Sequence, residues 1–206
     1  MKNGIKGGNG RWNRSGLAFL KGFLRHPELV GSIVPSSRYL EKRIVSAALV
    51  EKARLVVELG PGTGGTTRAI LDALPHDARL LAIEIDPQFV SLLKSVDDPR
   101  LIVHHGSAEK LQEVLRYYDV SCPDAVVSGI PFSTMPPGRG GRILEAIWAS
   151  LAPGGYFVAY QFRKRVADLG KKAFGIPETE MELFNVPPMH LFRWKKSFPS
   201  KRACGE

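Results

Sequence analysis

The segment Glu58-Leu-Gly-Pro-Gly-Thr-Gly64 directly follows the apolar run Leu55-Val-Val57. A short apolar run that ends in closely spaced glycines is typical of a buried strand that turns into a helix. Because glycine has no Cβ, the backbone amides of such a turn can approach a bound ligand closely. The segment therefore predicts an α/β protein with a cofactor loop after its first strand.

The acid at the end of that strand, Glu58, narrows the choice of cofactor. A carboxylate there repels a pyrophosphate and attracts the cationic ammonium of an amino acid. The spacing of Gly60, Gly62 and Gly64 also differs from the G-x-G-x-x-G pattern of dinucleotide-binding proteins. These features favour S-adenosylmethionine over NAD or FAD, with Pro61 in the same binding loop.

A second acid follows the next apolar run, Leu80-Leu-Ala-Ile83. It lies about 20 residues beyond the glycines, where related α/β folds place a carboxylate on the ribose hydroxyls. We assign Glu84 to that contact and Ile85 to the same binding region, whereas Asp86 before Pro87 has the pattern of a helix N-cap. A tight turn with no cofactor remains the alternative for the whole unit.

With these residues the chain resembles the class I S-adenosylmethionine-dependent methyltransferases. Within them it is similar to the bacterial phospholipid N-methyltransferases of the Rhodobacter and Agrobacterium type, because Gly31-Ser-Ile-Val-Pro-Ser-Ser37 precedes the loop and Asn185-Val-Pro-Pro188 lies near the C-terminus. It also resembles the rRNA adenine dimethylases. The resemblance implies a Rossmann-like fold, with a seven-stranded, mostly parallel sheet, an antiparallel C-terminal hairpin and an N-terminal amphipathic helical extension.

The resemblance also extends the set of cofactor-binding residues. It implies that Ser36 and Ser37 touch the methionine end of the cofactor, with helix capping as the alternative for Ser37. Ser107 stands where many relatives carry an aspartate that accepts from the adenine amine, and a hydroxyl is a weaker acceptor. Ala108 and Ser128 complete the predicted cofactor site.

Composition limits the size and setting of the protein. The 206 residues, 44% of them hydrophobic, suffice for one α/β core but not for a second full domain. The two cysteines, Cys122 and Cys204, offer no metal spacing and no disulfide framework, so we expect a reducing cytosol and no metal. No apolar run approaches the roughly 20 residues needed to span a bilayer.

The net charge of +9 predicts attraction to a polyanion, either nucleic acid or an anionic membrane surface. The first 26 residues contain six Lys or Arg and no acid, and apolar residues recur near helical spacing between Arg11 and Arg25. Such a basic amphipathic helix can lie in a membrane interface, where each basic residue contributes roughly 1 kcal/mol. A helix packed across the domain is the alternative. We divide the chain into an N-terminal helical lid, residues 1–50, and a methyltransferase domain, residues 51–206.

Strands and helices alternate through the rest of the chain, which is the pattern of a parallel sheet. The predicted strands are 54–58, 79–84, 101–105, 124–128 and 155–161. The predicted helices are 37–49, 64–74, 87–96, 108–118, 140–151 and 163–173. Two extended segments, 179–186 and 190–196, predict the terminal hairpin.

The methyl acceptor is expected at the loop Gly129-Ile-Pro-Phe132, because ligands of such sheets bind at the carboxyl ends of the strands. In the rRNA adenine dimethylases this loop reads Asn-Leu-Pro-Tyr, and its asparagine helps to hold the base amine. Gly129 stands at the asparagine position and cannot supply that acceptor, which favours a flexible aliphatic amine over a flipped base. A plain strand-to-loop turn is the alternative.

Transfer to a primary amine requires a proton acceptor, since an ammonium of this kind has a pKa of about 10. The candidates are Tyr39, Tyr160 and water. Backbone carbonyls of residues 128–130 are candidates for orienting the amine, and aromatic side chains such as Phe132 and Phe162 for holding its cationic methylated forms, with core packing as the alternative. The predicted catalytic set is Tyr39, Gly129, Ile130, Pro131, Phe132 and Tyr160.

The resemblance implies N-methylation of phosphatidylethanolamine at the membrane surface, through mono- and dimethyl intermediates toward phosphatidylcholine. Another aminolipid, such as ornithine lipid, would use the same parts. An RNA adenine N-methyltransferase is the second candidate, and a basic binding module without turnover is the third. We expect a cytoplasmic monomer, peripheral to the inner face of the plasma membrane through its basic N-terminal helix, with no nucleic-acid partner.

Overall fold

The computed structural model describes residues 36–198. The predicted basic amphipathic helix and most of the lid therefore lie outside the described residues, as does Cys204. The strands are β1 (Leu55–Leu59), β2 (Arg79–Glu84), β3 (Leu101–His105), β4 (Ala125–Ser128), β5 (Tyr156–Gln161), β6 (Glu178–Glu182) and β7 (Met189–Lys195). The helices are α1 (Arg38–Ala47), α2 (Gly65–Ala73), α3 (Pro87–Leu93), α4 (Leu111–Tyr117), α5 (Arg139–Ser150) and α6 (Arg165–Phe174).

All seven strands form one sheet in the order β3-β2-β1-β4-β5-β7-β6. The first five strands are parallel, and β7 runs antiparallel to both β5 and β6. The order reverses between β1 and β4, so the carboxyl ends of these two strands border a crevice. The predicted methyltransferase fold, with its antiparallel terminal hairpin, is confirmed.

Helices cover both faces of the sheet, which explains why β1 is buried along its whole length. On one face, Leu40 and Ile44 of α1 share a buried cluster with Val56 of β1 and Val127 of β4. The part of the predicted lid that the structure describes thus packs into the core of the methyltransferase domain.

Several predicted boundaries differ from the structure. The predicted helix 87–96 ends at Leu93, and the predicted helix 163–173 begins at Arg165. The first helix ends at Ala47 and is followed by Leu49 with a φ of +50° and a 3-10 turn, Val50–Lys52. The predicted helix 108–118 begins as a separate 3-10 turn, Ala108–Lys110.

The predicted strand 179–186 is too long, because β6 ends at Glu182. The carboxylate of Glu182 accepts a hydrogen bond from the Phe184 amide at 2.8 Å, and the Asn185 side chain donates to the carbonyl of Pro187. These side chains bind local backbone groups and so compete with the strand ladder. None of the helices in residues 36–198 is long and apolar enough to cross a membrane.

Candidate active site

A cavity of about 420 Å³ opens at the crevice between β1 and β4. A volume of this size is typical of small-molecule sites. Eight predicted cofactor residues line it: Ser36, Gly60, Pro61, Gly62, Glu84, Ile85, Ser107 and Ala108. Four predicted catalytic residues line it as well: Gly129, Ile130, Pro131 and Tyr160.

The other six predicted residues do not line the cavity. Ser37 and Gly64 are chain neighbours of lining residues, and Glu58 and Ser128 are fully buried. Tyr39 is exposed on α1, and Phe132 is buried in the core. Phe132 is only 2% exposed and packs against Gly140, so the predicted cation–π contact finds no support from its position.

The glycine loop brings backbone close to the cavity. Gly60 has a φ of +68°, in the left-handed region that favours glycine, and a Cβ there would lie 3.0 Å from Cγ1 of Ile130. Gly64, with a φ of +79°, precedes the first residue of α2. Gly65 and Thr66, the first residues of α2, line the cavity, and the N-terminus of a helix favours a carboxylate ligand.

Glu84 ties the end of β2 to the glycine loop. One of its carboxylate oxygens accepts from the Gly62 amide at 3.0 Å, and the other accepts from the amides of Ile85 at 2.8 Å and Asp86 at 3.0 Å. The side chain is almost completely buried yet borders the cavity. It is therefore held in place where the predicted ribose contact requires an acceptor.

Glu58 is fully buried beneath the glycine loop. Its Oε2 accepts from the hydroxyl of Thr67 at 2.7 Å, while its Oε1 has no hydrogen-bond partner within the described chain. Burial, opposed by that hydrogen bond, raises the pKa of Glu58 to about 8. Glu58 does not line the cavity, so its predicted attraction for the ammonium of S-adenosylmethionine stays a prediction.

The raised pKa of Glu58 gives the cofactor-free protein a pH-dependent stability. Between the ordinary pKa of about 4.5 and the folded value of about 8, the unfolded chain ionises Glu58 and the folded chain does not. Stability from this group is complete below pH 4.5 and is lost as the pH rises through 8. We expect Glu58→Gln to flatten the fall in melting temperature between pH 5 and pH 8, by several degrees.

Glu113→Gln is the matched control for that experiment, since Glu113 is an exposed carboxylate on α4. Thermal unfolding of the three proteins without cofactor measures the effect. Equal slopes for wild type and Glu58→Gln would contradict the buried, protonated state.

Gly129 and Tyr160 pack against each other where they line the cavity. We call this part of the cavity, where the methyl acceptor is expected, the acceptor side. A Cβ at Gly129 would lie 2.5 Å from the Tyr160 hydroxyl and 2.9 Å from the carbonyl oxygen of Gly60. The same hydroxyl is hydrogen-bonded to the Thr66 hydroxyl at 3.2 Å. The phenol therefore occupies the space that an asparagine side chain would need at position 129.

Two predicted roles at the acceptor side are not supported. Burial raises the pKa of Tyr160 far above its ordinary value, so the phenol is neutral and is a poor proton acceptor. The carbonyl of Ile130 already accepts from the Phe132 amide at 2.9 Å and from the Gln161 side chain. Its two lone pairs are in use, so it does not orient an amine.

Other predicted residues have structural tasks near the cavity. The Ser37 hydroxyl accepts from the Leu40 amide and caps α1, as the alternative prediction stated. The Ser37 amide donates to Oδ1 of Asn185 at 2.8 Å, so the Pro-Ser-Ser and Val-Pro-Pro segments are in contact. Tyr39 lies on the outer surface, with its ring centroid 5.2 Å from that of Phe184.

Sequence reasoning missed a cationic residue of the cavity wall, Arg139. Its guanidinium donates to Glu109 at 2.9 Å, and Arg142 donates to the other oxygen of the same carboxylate at 2.9 Å. Two arginines on one carboxylate leave a net positive charge at this wall. Nothing in the sequence around Arg139 marks it, because Glu109 comes from a different element. No cluster of metal-ligating side chains occurs in residues 36–198.

Comparison with known proteins identifies the family of this chain. Residues 56–155 match the family model described as a methyltransferase domain. The chain is 34% identical over 141 residues to the ornithine lipid N-methyltransferase of Singulisphaera acidiphila, an alignment that covers 68% of this chain and 73% of that protein. The chain belongs to the class I S-adenosylmethionine-dependent methyltransferases. Its cofactor is S-adenosylmethionine.

A second relative and a solved structure are also similar to this methyltransferase. It is 30% identical over 153 residues to the ribosomal RNA small subunit methyltransferase A of Mycobacterium tuberculosis, covering 69% of this chain and 45% of that protein. The O-methyltransferase TomG of Streptomyces achromogenes, whose crystal structure is in complex with SAM, has the same fold. The TM-score is 0.65 at 15% identity, over 91% of this chain and 92% of TomG.

Proposed function

We propose that this methyltransferase methylates the amine of a membrane aminolipid, with phosphatidylethanolamine as the leading acceptor and ornithine lipid as the alternative. The observation that carries the proposal is the packing of Tyr160 against Gly129. This packing leaves no room at position 129 for the asparagine side chain that helps to hold the base amine in the rRNA adenine dimethylases. The similarity to an ornithine lipid N-methyltransferase supports an aminolipid acceptor.

In the proposed reaction the protein acts mainly by positioning. S-adenosylmethionine supplies a methyl group on a cationic sulfur, and the amine lone pair displaces that sulfur. The glycine loop and Glu84 hold the donor, while the neutral Tyr160 and Thr66 form a wall at the acceptor side. The carbonyl of Gly129 accepts none of the hydrogen bonds found among residues 36–198, so it is the proposed partner for the amine N–H. The proton leaves to water.

RNA adenine methylation is the second candidate, because the chain is similar to a ribosomal RNA methyltransferase and carries a net charge of +9. The observation that supports a lipid amine, the absence of a side chain at Gly129, counts against RNA adenine as the acceptor. A flipped base needs hydrogen bonds to its Watson–Crick edge, and Gly129 offers no side chain for them.

The proposed setting is the cytoplasmic face of the plasma membrane. There the basic segment of residues 1–26 would contribute to binding of anionic lipids. An aminolipid substrate is presented only at such a surface, so peripheral association and activity are linked in this proposal.

One experiment separates the candidate acceptors. Purified protein is incubated with methyl-labelled S-adenosylmethionine and with anionic vesicles that contain phosphatidylethanolamine, vesicles that contain ornithine lipid, or unmodified rRNA. We expect label in lipid, with methylated products that thin-layer chromatography resolves. Label in rRNA with none in either lipid would sink the proposal.

A further inference from the structure

The connection between β6 and β7 exposes a group of apolar side chains. Leu183, Phe184 and Val186 point away from the domain, with Phe184 72% and Val186 84% exposed. The exposed ring of Tyr39 on α1 lies against Phe184. We call these four residues the hairpin rim. Clustered apolar side chains on a soluble surface are typical of an interaction site.

Hydrogen bonds and an ion pair of two buried side chains, Asn185 and Glu182, fix the backbone of the hairpin rim. Asn185, only 3% exposed, accepts from the Ser37 amide and donates to the carbonyl of Pro187. Glu182 accepts from the Phe184 amide and pairs with Arg43 at 2.6 Å. The apolar side chains are therefore displayed by a fixed turn.

The hairpin rim lies next to the entrance of the cavity. Ser36, which precedes the cap of α1, and Met189, the first residue of β7, both line the cavity. Gln161 at the end of β5 pairs with His190, so the exposed Phe162 that follows lies at the same end of the sheet. A substrate that reaches the cavity from this side passes the rim.

The charge beside the hairpin rim is positive. The exposed run Arg163-Lys-Arg165 follows Phe162 and takes part in none of the ion pairs found within residues 36–198. The nearby carboxylates of β6 are only partly compensated, because Arg43 pairs with both Glu180 and Glu182 while Arg193 pairs with Glu178, so one net negative charge on β6 faces the three cations of the run. Uncompensated cations next to protruding apolar groups complement an anionic lipid surface.

We propose that the hairpin rim and residues 163–165 form a membrane-docking face, whose occupant is a bilayer with anionic headgroups. The apolar side chains enter the headgroup boundary and the basic run contacts lipid phosphates. This inference rests on the proposed function and deepens it, because docking here brings the cavity entrance to the headgroup layer. An aminolipid amine then enters the cavity while its acyl chains stay in the bilayer.

The test compares two double variants that remove matched apolar area. Phe184→Ser with Val186→Ser alters the hairpin rim. Tyr117→Ser with Ile176→Ser alters side chains that are 77% and 80% exposed, on α4 beside the far sheet edge and on the connection before β6. Binding to vesicles of phosphatidylglycerol and phosphatidylethanolamine is measured by sedimentation. We expect the rim variant to bind about tenfold more weakly and the control to bind like wild type.

A second pair of variants tests the charge. Arg163→Gln with Lys164→Gln should weaken binding to these vesicles by roughly fivefold per charge, with no change on vesicles of phosphatidylcholine alone. Lys52→Gln with Lys94→Gln, both exposed and distant from the rim, is the control. Wild-type binding by the rim and charge variants alike would overturn the docking face.

Activity on a monomeric, short-chain aminolipid in solution distinguishes this proposal from the proposed function. If rim variants methylate it as wild type does but fail on vesicles, the docking face is supported. If wild type binds vesicles through the rim but methylates no lipid, the docking face stands and the proposed function fails. Equal activity of rim variant and wild type on vesicles would count against the docking face.

Discussion

Gly129→Ala is expected to lower kcat/KM by about 100-fold, because the acceptor loop must move by a large fraction of an ångström. The added Cβ would lie 2.5 Å from the Tyr160 hydroxyl and 2.9 Å from the Gly60 carbonyl oxygen. The first contact is with a side chain, but the second is with backbone of the cofactor loop and cannot be relieved by a rotamer change. Gly129 is not among the residues with positive φ, so the effect is steric and not conformational.

Gly141→Ala is the matched control for this substitution. Gly141 lies within α5, and a Cβ there meets nothing within 4 Å. Alanine stabilises a helix interior relative to glycine by roughly 0.5–1 kcal/mol, so this variant should be active and slightly more stable. Steady-state assays and thermal unfolding distinguish the two.

Adding Tyr160→Phe to Gly129→Ala should restore part of the lost activity, because it removes the atom nearest the new Cβ. The ring carbon behind that hydroxyl would still lie 3.0 Å from the Cβ, so rescue is incomplete. Wild-type kinetics in the Gly129→Ala single variant would refute the tight packing at this position and the argument for the acceptor that depends on it.

Glu84→Ala is expected to reduce the affinity for S-adenosylmethionine by about 100-fold. Two charge-assisted hydrogen bonds to ribose hydroxyls, at about 1.5 kcal/mol each, account for a loss of that size. The amides of Gly62, Ile85 and Asp86 also lose their acceptor, which loosens the glycine loop. The melting temperature should therefore fall by several degrees as well.

Asp98→Ala is the control that separates the loss of cofactor affinity from the loss of stability expected for Glu84→Ala. Asp98 also fixes a turn, by accepting from the amide of Arg100 at 2.9 Å and from its guanidinium, but it does not line the cavity. We expect Asp98→Ala to lose stability without losing cofactor affinity. Calorimetric titration that gives equal affinities for wild type and Glu84→Ala would remove Glu84 from the cofactor site.

The parts of the fold and site that follow from the sequence are local ones. The glycine loop, the acid that ends β2 and the cap at Ser37 are each marked by residues within a few positions of one another, although the contact from Glu84 to the Gly62 amide spans 22 positions. In each case the residue type suits the local backbone: glycine adopts positive φ, and a side-chain oxygen accepts from an otherwise unpaired amide. That is why these features could be read before any tertiary contact was known.

The misplaced roles depend on contacts between distant segments. The neutral state of Tyr160 comes from its burial, the occupied carbonyl of Ile130 from Gln161, and the position of Phe132 from packing against α5. Arg139 enters the cavity because Glu109 anchors it across two elements. None of these contacts produces a recognisable motif in the sequence, because the residues that make each contact come from separate segments of the chain.

The hydrogen bond from the Ser37 amide to Asn185 spans 148 positions of the chain. Contacts of such long range are costly in chain entropy and form only when the intervening elements have assembled. Ser36 and Met189, on either side of that bond, each form part of the cavity wall. During synthesis the glycine loop emerges long before the hairpin, so the nascent chain completes its cofactor cavity only when its last strands have docked.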